Sequence, residues 1–335
     1  MGFETIGLKP ELVKAVGDLG FENMMPVQAE AIPLLLEKDC DLIALAQTGT
    51  GKTAAFGLPL IQKLDLTNKN TEGLIICPTR ELCIQIANDL KKYSKYLEAC
   101  EVIPVYGGAS IEMQIRNLKK GAKIIVATPG RMNDLIQRGK GKLSSVRYVV
   151  LDAAEEMLNM GFKEDLDAIL DQTPASRNTW LFSATMPNEV EEIANNYQDS
   201  PERIQIGSRN QGSNNVRHFY YLVHAKDRYL ALKRIADYYP DIYAIIFCRT
   251  KVETQEVADM LIRDGYNADS LHGDLSQAQR DHVMSRFRLR NIQMLVATDV
   301  AARGLDVSNL THVINYNLPD ELEQYCKDAD FVFNL

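Results

Sequence analysis

Eight consecutive residues, Ala46-Gln47-Thr48-Gly49-Thr50-Gly51-Lys52-Thr53, have the make-up of a phosphate cradle. Two glycines let backbone N–H groups approach an anion closely, a lysine brings a point charge to the outer phosphates, and a threonine hydroxyl suits Mg²⁺. Ala46 stands where the general pattern has its first glycine. Further along, the apolar run Arg147-Tyr148-Val149-Val150-Leu151 ends in Asp152, where a carboxylate would hold the metal through its water shell. The next residues are Ala153-Ala154-Glu155, so no carboxylate directly follows Asp152. Triphosphate binding is expected, and hydrolysis is in doubt.

Positioning such groups requires a strand, a glycine turn and a helix in that order. Residues 41–46 form a short apolar run that reads as a buried strand, and 52–60 read as a helix start. Similar runs at 74–77, 101–106, 122–127, 148–151 and 179–182 alternate with amphipathic stretches, which predicts a parallel α/β sheet with helices on both faces. Residues 207–216 are polar, with glycine and serine, and read as a linker between a first domain, 1–206, and a second, 217–335. The alternation restarts at 216–223, 242–247, 268–271, 294–297 and 312–315. The chain then runs on only to Leu335, so the second domain is expected to be truncated, without its final strand and helix.

Bulk properties bound the alternatives. A chain of 335 residues, 46% hydrophobic and 24% charged, has the composition of a soluble two-domain protein. No apolar run approaches a membrane span, the first residues lack the plan of a signal peptide, and a cytoplasmic location without membrane contact is expected. Six cysteines show no metal-type spacing, and Cys77 and Cys248 lie in apolar runs as small core residues. The net charge of −8 argues against coating nucleic acid through bulk positive charge but leaves room for a local track of donors.

Several further strings keep a fixed order: Gly20-Phe21-Glu22-Asn23-Met24-Met25-Pro26-Val27-Gln28, Pro78-Thr79-Arg80-Glu81-Leu82, Gly107-Gly108, Thr128-Pro129-Gly130-Arg131, Ser183-Ala184-Thr185, His272-Gly273-Asp274, Gln277-Ala278-Gln279-Arg280 and the run 297–306. On these motifs the chain closely resembles the DEAD-box ATP-dependent RNA helicases, from about Phe3 to Tyr325.

The resemblance implies two RecA-like P-loop domains facing each other, with ATP and Mg²⁺ between them and single-stranded RNA crossing both, in a core that is usually monomeric. Phe3 would stack on adenine and Gln28 would read its Watson–Crick side. Gln47, Thr48, Gly49, Thr50, Gly51, Lys52 and Thr53 would hold the phosphates, Thr53 and Asp152 the metal. Arg303, Gly304 and Asp306 would meet ATP from the second domain. Pro78, Thr79, Arg80, Gly108, Thr128, Gly130 and Arg131 would line the RNA track in the first domain, and Arg249, Gly273, Thr298 and Asp299 in the second. Such donors grip phosphate and ribose without reading bases. Ser183 and Thr185 would couple the ATP site to domain closure through the acidic segment ending at Glu155.

Two departures weaken the expected chemistry. The family sequence Asp-Glu-Ala-Asp reads Asp152-Ala153-Ala154-Glu155 here, so Ala153 replaces the base that activates water. Glu155 and Glu156 project from other backbone positions. After Gln324-Tyr325, where the family has a His-Arg-x-Gly-Arg-x-x-Arg motif, the chain reads Cys326-Lys327-Asp328-Ala329-Asp330-Phe331-Val332-Phe333-Asn334-Leu335, without an arginine. Three readings stay open: a helicase with weak turnover, an ATP-gated RNA clamp, and an altered copy that does little. Another P-loop enzyme, such as a small-molecule kinase, fails on the second-domain motifs.

Overall fold

The computed structural model describes residues 2–47, 49–206, 217–298, 307, 310–317 and 329–335. The chain divides into two compact units, Met1–Ser208 and Arg209–Leu335.

In the first unit seven strands, β1 (Leu42–Leu45), β2 (Gly73–Ile76), β3 (Val102–Val105), β4 (Ile124–Ala127), β5 (Tyr148–Asp152), β6 (Asn178–Ser183) and β7 (Glu202–Gln205), form one parallel sheet in the order β3-β4-β2-β5-β6-β1-β7. The helices are α1 (Pro10–Asp18), α2 (Pro26–Glu37), α3 (Lys52–Lys63), α4 (Arg80–Tyr93), α5 (Ile111–Lys120), α6 (Pro129–Gln137), α7 (Ala154–Asn159), α8 (Lys163–Leu170) and α9 (Asn188–Tyr197). Strand side chains alternate between two cores. Leu42, Ala44, Ile75 and Val150 pack with Phe56 and Trp180 on one face, whereas Ile43, Leu74, Ile76 and Val149 pack with Met157 and Leu166 on the other. Burial on both faces explains why these strands read as unbroken apolar runs.

The second unit has six strands, β8 (Arg217–Tyr220), β9 (Ala244–Cys248), β10 (Ala268–Leu271), β11 (Met294–Thr298), β12 (Leu310–Asn315) and β13 (Ala329–Asn334). They too are parallel, in the order β10-β11-β9-β12-β13-β8, with α10 (Arg228–Tyr238), α11 (Lys251–Arg263) and α12 (Gln277–Arg288). Among the described residues, no helix is long and apolar enough to cross a membrane.

Strand β13 corrects the expectation that the second domain lacks its final strand. It pairs with β12 on one side and β8 on the other, so it joins β8 to the sheet. Its alternation does the work: Phe331 and Phe333 lie 5.1 and 5.6 Å, centroid to centroid, from the His312 ring on one face, while Val332 is buried on the other. Asn315 Nδ2 donates to Asn334 Oδ1 at 2.8 Å across the pair. The polar residues before Phe331 masked this short strand in the sequence. Parallel neighbours need a crossover of roughly a dozen residues at least, and residues 316–328 are close to that minimum.

Candidate functional site

Strand β1 ends between β6 and β7, where the Ala46 N–H donates to the Ser183 carbonyl at 3.0 Å. The chain then turns through Gly49 (φ 72°) and Gly51 (φ 84°) into α3. Gly51 is required for its left-handed backbone, and a Cβ there would also displace the Gln28 amide. That amide donates to the Gly51 carbonyl at 3.1 Å, while Gln28 Oε1 accepts from the Met25 N–H at 2.9 Å. Gln28 thus ties the start of α2 to the loop. Thr50 Oγ1 donates to the Gln47 carbonyl at 2.6 Å, and Gln47 Oε1 is buried without a partner. Lys52 and Thr53 open the twelve-residue α3, where unpaired N–H groups and the helix dipole favour an anion. Thr48 lies outside the described residues. Phe3 sits in a short 3-10 turn, only 3% exposed, with its ring 6.1 Å from that of Phe21.

Asp152 ends β5, two places across the sheet from β1 in the order β5-β6-β1. Burial pushes its carboxyl above the usual range; nearby Lys52 pulls it down, Glu155 pushes it up, and the Ala153 N–H pulls it down. Its Oδ1 is buried without a hydrogen-bond partner. An orphaned hard oxygen on a buried carboxylate within the field of Lys52 is the kind of donor a magnesium ion takes. Among the described residues, no group of three or more His, Cys, Asp or Glu could hold a metal alone. A cation here would rely on phosphate oxygens and water, as Mg²⁺ does.

These facts predict that Asp152→Asn raises the thermal stability of the nucleotide-free protein, by about 1 kcal/mol, and abolishes stabilisation by Mg²⁺ with ATP. The sign follows from the raised pKa. Folding disfavours ionised Asp152, so the penalty is full above the folded pKa and is relieved as pH falls through it. The variant's advantage should shrink on acidification. Equal stabilisation of both proteins by Mg²⁺–ATP in thermal melts would count against the metal assignment.

Ala153 is buried in a left-handed conformation, φ 55° and ψ 51°, between β5 and α7, with its N–H donating to the Phe182 carbonyl at 2.9 Å. Its methyl group has no acid–base chemistry. Glu155 is committed elsewhere: Oε2 accepts the Ser183 hydroxyl and Oε1 accepts the Ala184 N–H at 3.1 Å. Ser183 Oγ also lies 2.6 Å from the Thr185 carbonyl, so its single proton is shared between two acceptors. The extra methylene of Glu155 is therefore accommodated in a closed clasp between β6 and α7.

The remaining first-domain residues gather at the other half of the same sheet edge. Pro78, Thr79 and Arg80 follow β2, Gly108 follows β3, and Thr128, Gly130 and Arg131 follow β4; these three strands are neighbours. Thr79 caps α4 by accepting the Leu82 N–H at 3.3 Å. Gly108 has φ 79°, which the turn requires. Gly107 has nothing within 4 Å of a built Cβ and Gly130 only Asp165 Oδ2 at 3.9 Å, and neither has positive φ. The fold does not demand glycine at either place, whereas close approach of a ligand to the backbone would. In the second unit Arg249 follows β9, the exposed Gly273 follows β10, and Thr298 ends β11, again on adjacent strands. Asp299, Arg303, Gly304 and Asp306 lie outside the described residues. Carboxyl ends of parallel strands are where open α/β sheets bind ligands.

Sequence reasoning missed Gln114. It is 6% exposed, the one buried residue of α5, and bonds two of these loops. The available signal was a glutamine on the helical face marked by Ile111, Ile115 and Leu118.

A DEAD/DEAH box helicase model matches residues 25–193, and a helicase conserved C-terminal domain model matches residues 228–329. The chain is 47% identical over 323 residues to the DEAD-box ATP-dependent RNA helicase CshA of Geobacillus kaustophilus, covering 96% of this chain and 69% of that protein. To CshA of Listeria monocytogenes it is 48% identical, covering 96% of this chain and 62% of the relative, so it spans less than two thirds of that length. Among solved structures, S. cerevisiae Dbp5 bound to RNA and ADP BeF3 superposes with a TM-score of 0.89 at 25% identity, covering 100% of this chain and 89% of that one. A DEAD box protein from Methanococcus jannaschii gives 0.60 at 38% identity, covering 100% and 92%. With a family model on each domain and relatives nearly half identical across almost its whole length, the chain belongs to the DEAD/DEAH box helicase family and, within it, to the DEAD-box ATP-dependent RNA helicases.

Proposed function

We propose that the chain binds ATP with Mg²⁺ on its first domain and single-stranded RNA along the strand ends of both domains, as a DEAD-box RNA helicase whose hydrolytic step is impaired. The observation that carries this is Ala153: it lies between Asp152, whose Oδ1 has no hydrogen-bond partner, and the Glu155 clasp, and its side chain is a methyl group. Lys52 and the N–H groups at the start of α3 bind phosphate, and Thr53 and Asp152 hold the ion. Bound Mg²⁺ would neutralise charge on the phosphates. Gln28 reading adenine and Phe3 stacking on it belong to this proposal; both side chains are engaged within the first domain, so nucleotide entry exchanges contacts there. Loss of a positioned base costs on the order of 10²–10⁴ in rate.

A second reading, an ATP-gated RNA clamp without turnover, is supported by the clasp joining Glu155 to Ser183 and Ala184, because coupling between nucleotide and RNA can persist without hydrolysis. RNA-stimulated phosphate release, measured alongside ATP-dependent RNA binding, separates the two. Release above background that disappears in Lys52→Ala supports the slow enzyme. ATP-strengthened RNA binding without release supports the clamp. A chain that does neither is the altered copy, and the proposal is wrong.

A further inference from the structure

We propose that Gln114 is a positioning residue that sets Arg131 and the Gly107-Gly108 turn in the geometry that grips RNA phosphate; this rests on the RNA-binding reading above. A polar side chain on the buried face of a helix needs partners for both ends of its amide. Gln114 Nε2 donates to the Tyr106 carbonyl at 3.0 Å, and Gln114 Oε1 accepts from Arg131 Nη1 at 3.1 Å. A carbonyl can only accept and a guanidinium only donate, so the amide has one allowed orientation. Arg131 Nη1 also donates to the Ala109 carbonyl at 3.1 Å. The carbonyls on either side of Gly107-Gly108, those of Tyr106 and Ala109, are therefore held by Gln114 and Arg131 in turn. The Arg80 guanidinium lies over the Tyr106 ring, 4.8 Å from its centroid. One glutamine thus joins the loops after β3 and β4, and through the Tyr106 backbone reaches the residue beneath Arg80.

The chemical consequence concerns Arg131. Both hydrogens of Nη1 are committed, and Nε and Nη2 remain for an oxyanion in a fixed plane, which spares the ordering that a mobile arginine must undergo on binding. Gln114 touches no ligand in this scheme and acts through Arg131 and the turn.

The test is a double-mutant cycle on binding of a short single-stranded polyuridine RNA in the presence of a non-hydrolysable ATP analogue. Gln114→Met keeps length and apolar volume and removes both hydrogen bonds; RNA binding should weaken roughly five- to tenfold. Its salt dependence should be shallower by up to about 0.7 in slope, one phosphate contact on a single strand. Arg131→Met should weaken binding further, and the double variant should match Arg131→Met alone, because Gln114 has then lost the group it orients. The affinity of Gln114→Met for the ATP analogue, measured without RNA, should not move. Losses that add, or weaker binding with an unchanged salt slope, would overturn the proposal. If Gln114→Met does not fold, Gln114→Glu keeps the acceptor for Arg131 and loses only the donor to Tyr106. Its affinity should fall between wild type and Arg131→Met, and a loss equal to that of Arg131→Met would overturn the proposal. A wild-type chain that binds no RNA removes the underlying reading as well, whereas a failed cycle in a chain that binds RNA removes only this inference.

Discussion

Placing a glutamate at position 153 and, in the same chain, an arginine-bearing segment between Tyr325 and Ala329 is expected to raise RNA-stimulated phosphate release by at least about 10³-fold. Ala153→Glu alone should raise it by less than about tenfold, because parts of one catalytic unit do not contribute independently. The backbone at 153 already has the left-handed bend, anchored by the N–H bond to Phe182, and Asp152, Lys52 and Thr53 need no rebuilding. Both Glu155 oxygens already accept hydrogen bonds, from Ser183 and Ala184, which disfavours that residue as a substitute base. The second insertion point follows from β13. Both β12 and β13 are formed and paired, so the added arginine segment is placed in their connection. An arginine that stabilises a phosphoryl-transfer transition state is worth on the order of 10³–10⁵. Steady-state phosphate release at saturating RNA decides: a single variant within tenfold of the double one would show that the connection matters little, and a double variant without gain would show that more than two parts are missing.

How much of this was legible in the sequence depended on the range of the interactions involved. The phosphate loop was readable because its determinants are local: a strand ending at Leu45, two glycines with positive φ, and a helix beginning at Lys52. Asp152 was readable for the same reason, as the last residue of an apolar strand. The steric demand on Gly51 comes from Gln28, far away in the chain, and only the fold brings them together. Gln114 was hidden because its partners lie on two other loops and its type suggests a solvated face. Strand β13 was hidden because a strand of six residues with only three large apolar side chains reads as a tail; packing against His312 and Tyr239 is what makes it a strand. Glu155 read as a departure, and the structure finds room for it because Ser183 and Ala184 present a donor to each oxygen.

Lys123→Met should lower the stability of the first domain by about 3 kcal/mol, far more than loss of any surface ion pair. Lys123 directly precedes β4 and Glu72 directly precedes β2, at the opposite end of the strands from the loops that follow β2, β3 and β4. The side chains are 2% and 5% exposed and meet at 2.7 Å. Lys38 and Glu202 are closer still, at 2.6 Å, but are 55% and 42% exposed, so water screens them and the shorter distance counts for little. Lys123 Nζ also reaches Asn68 Oδ1 at 2.9 Å and the carbonyls of Asn68 and Asn70, each at 3.2 Å, and so organises the loop leading into β2. Removing the ammonium leaves a buried carboxylate without its closest charge partner, with only the long 3.5 Å contact to the half-exposed Arg147 and the Asp65 and Asn68 donors remaining. Replacing both partners, as Glu72→Leu with Lys123→Met, should recover at least about half of the loss, since the stranded charge goes too. Burial pushes the Glu72 carboxyl up, but Lys123, the Asp65 N–H and the Asn68 amide outweigh it and hold the group below the usual range. A depressed carboxylate contributes stability that is present above its unfolded pKa and lost as pH falls through the folded one. Urea unfolding at neutral pH should therefore separate wild type from Lys123→Met by the full amount, and the gap should narrow on acidification below the ordinary glutamate range. A loss no larger than that of Lys38→Met would show that burial does not set the strength of this pair.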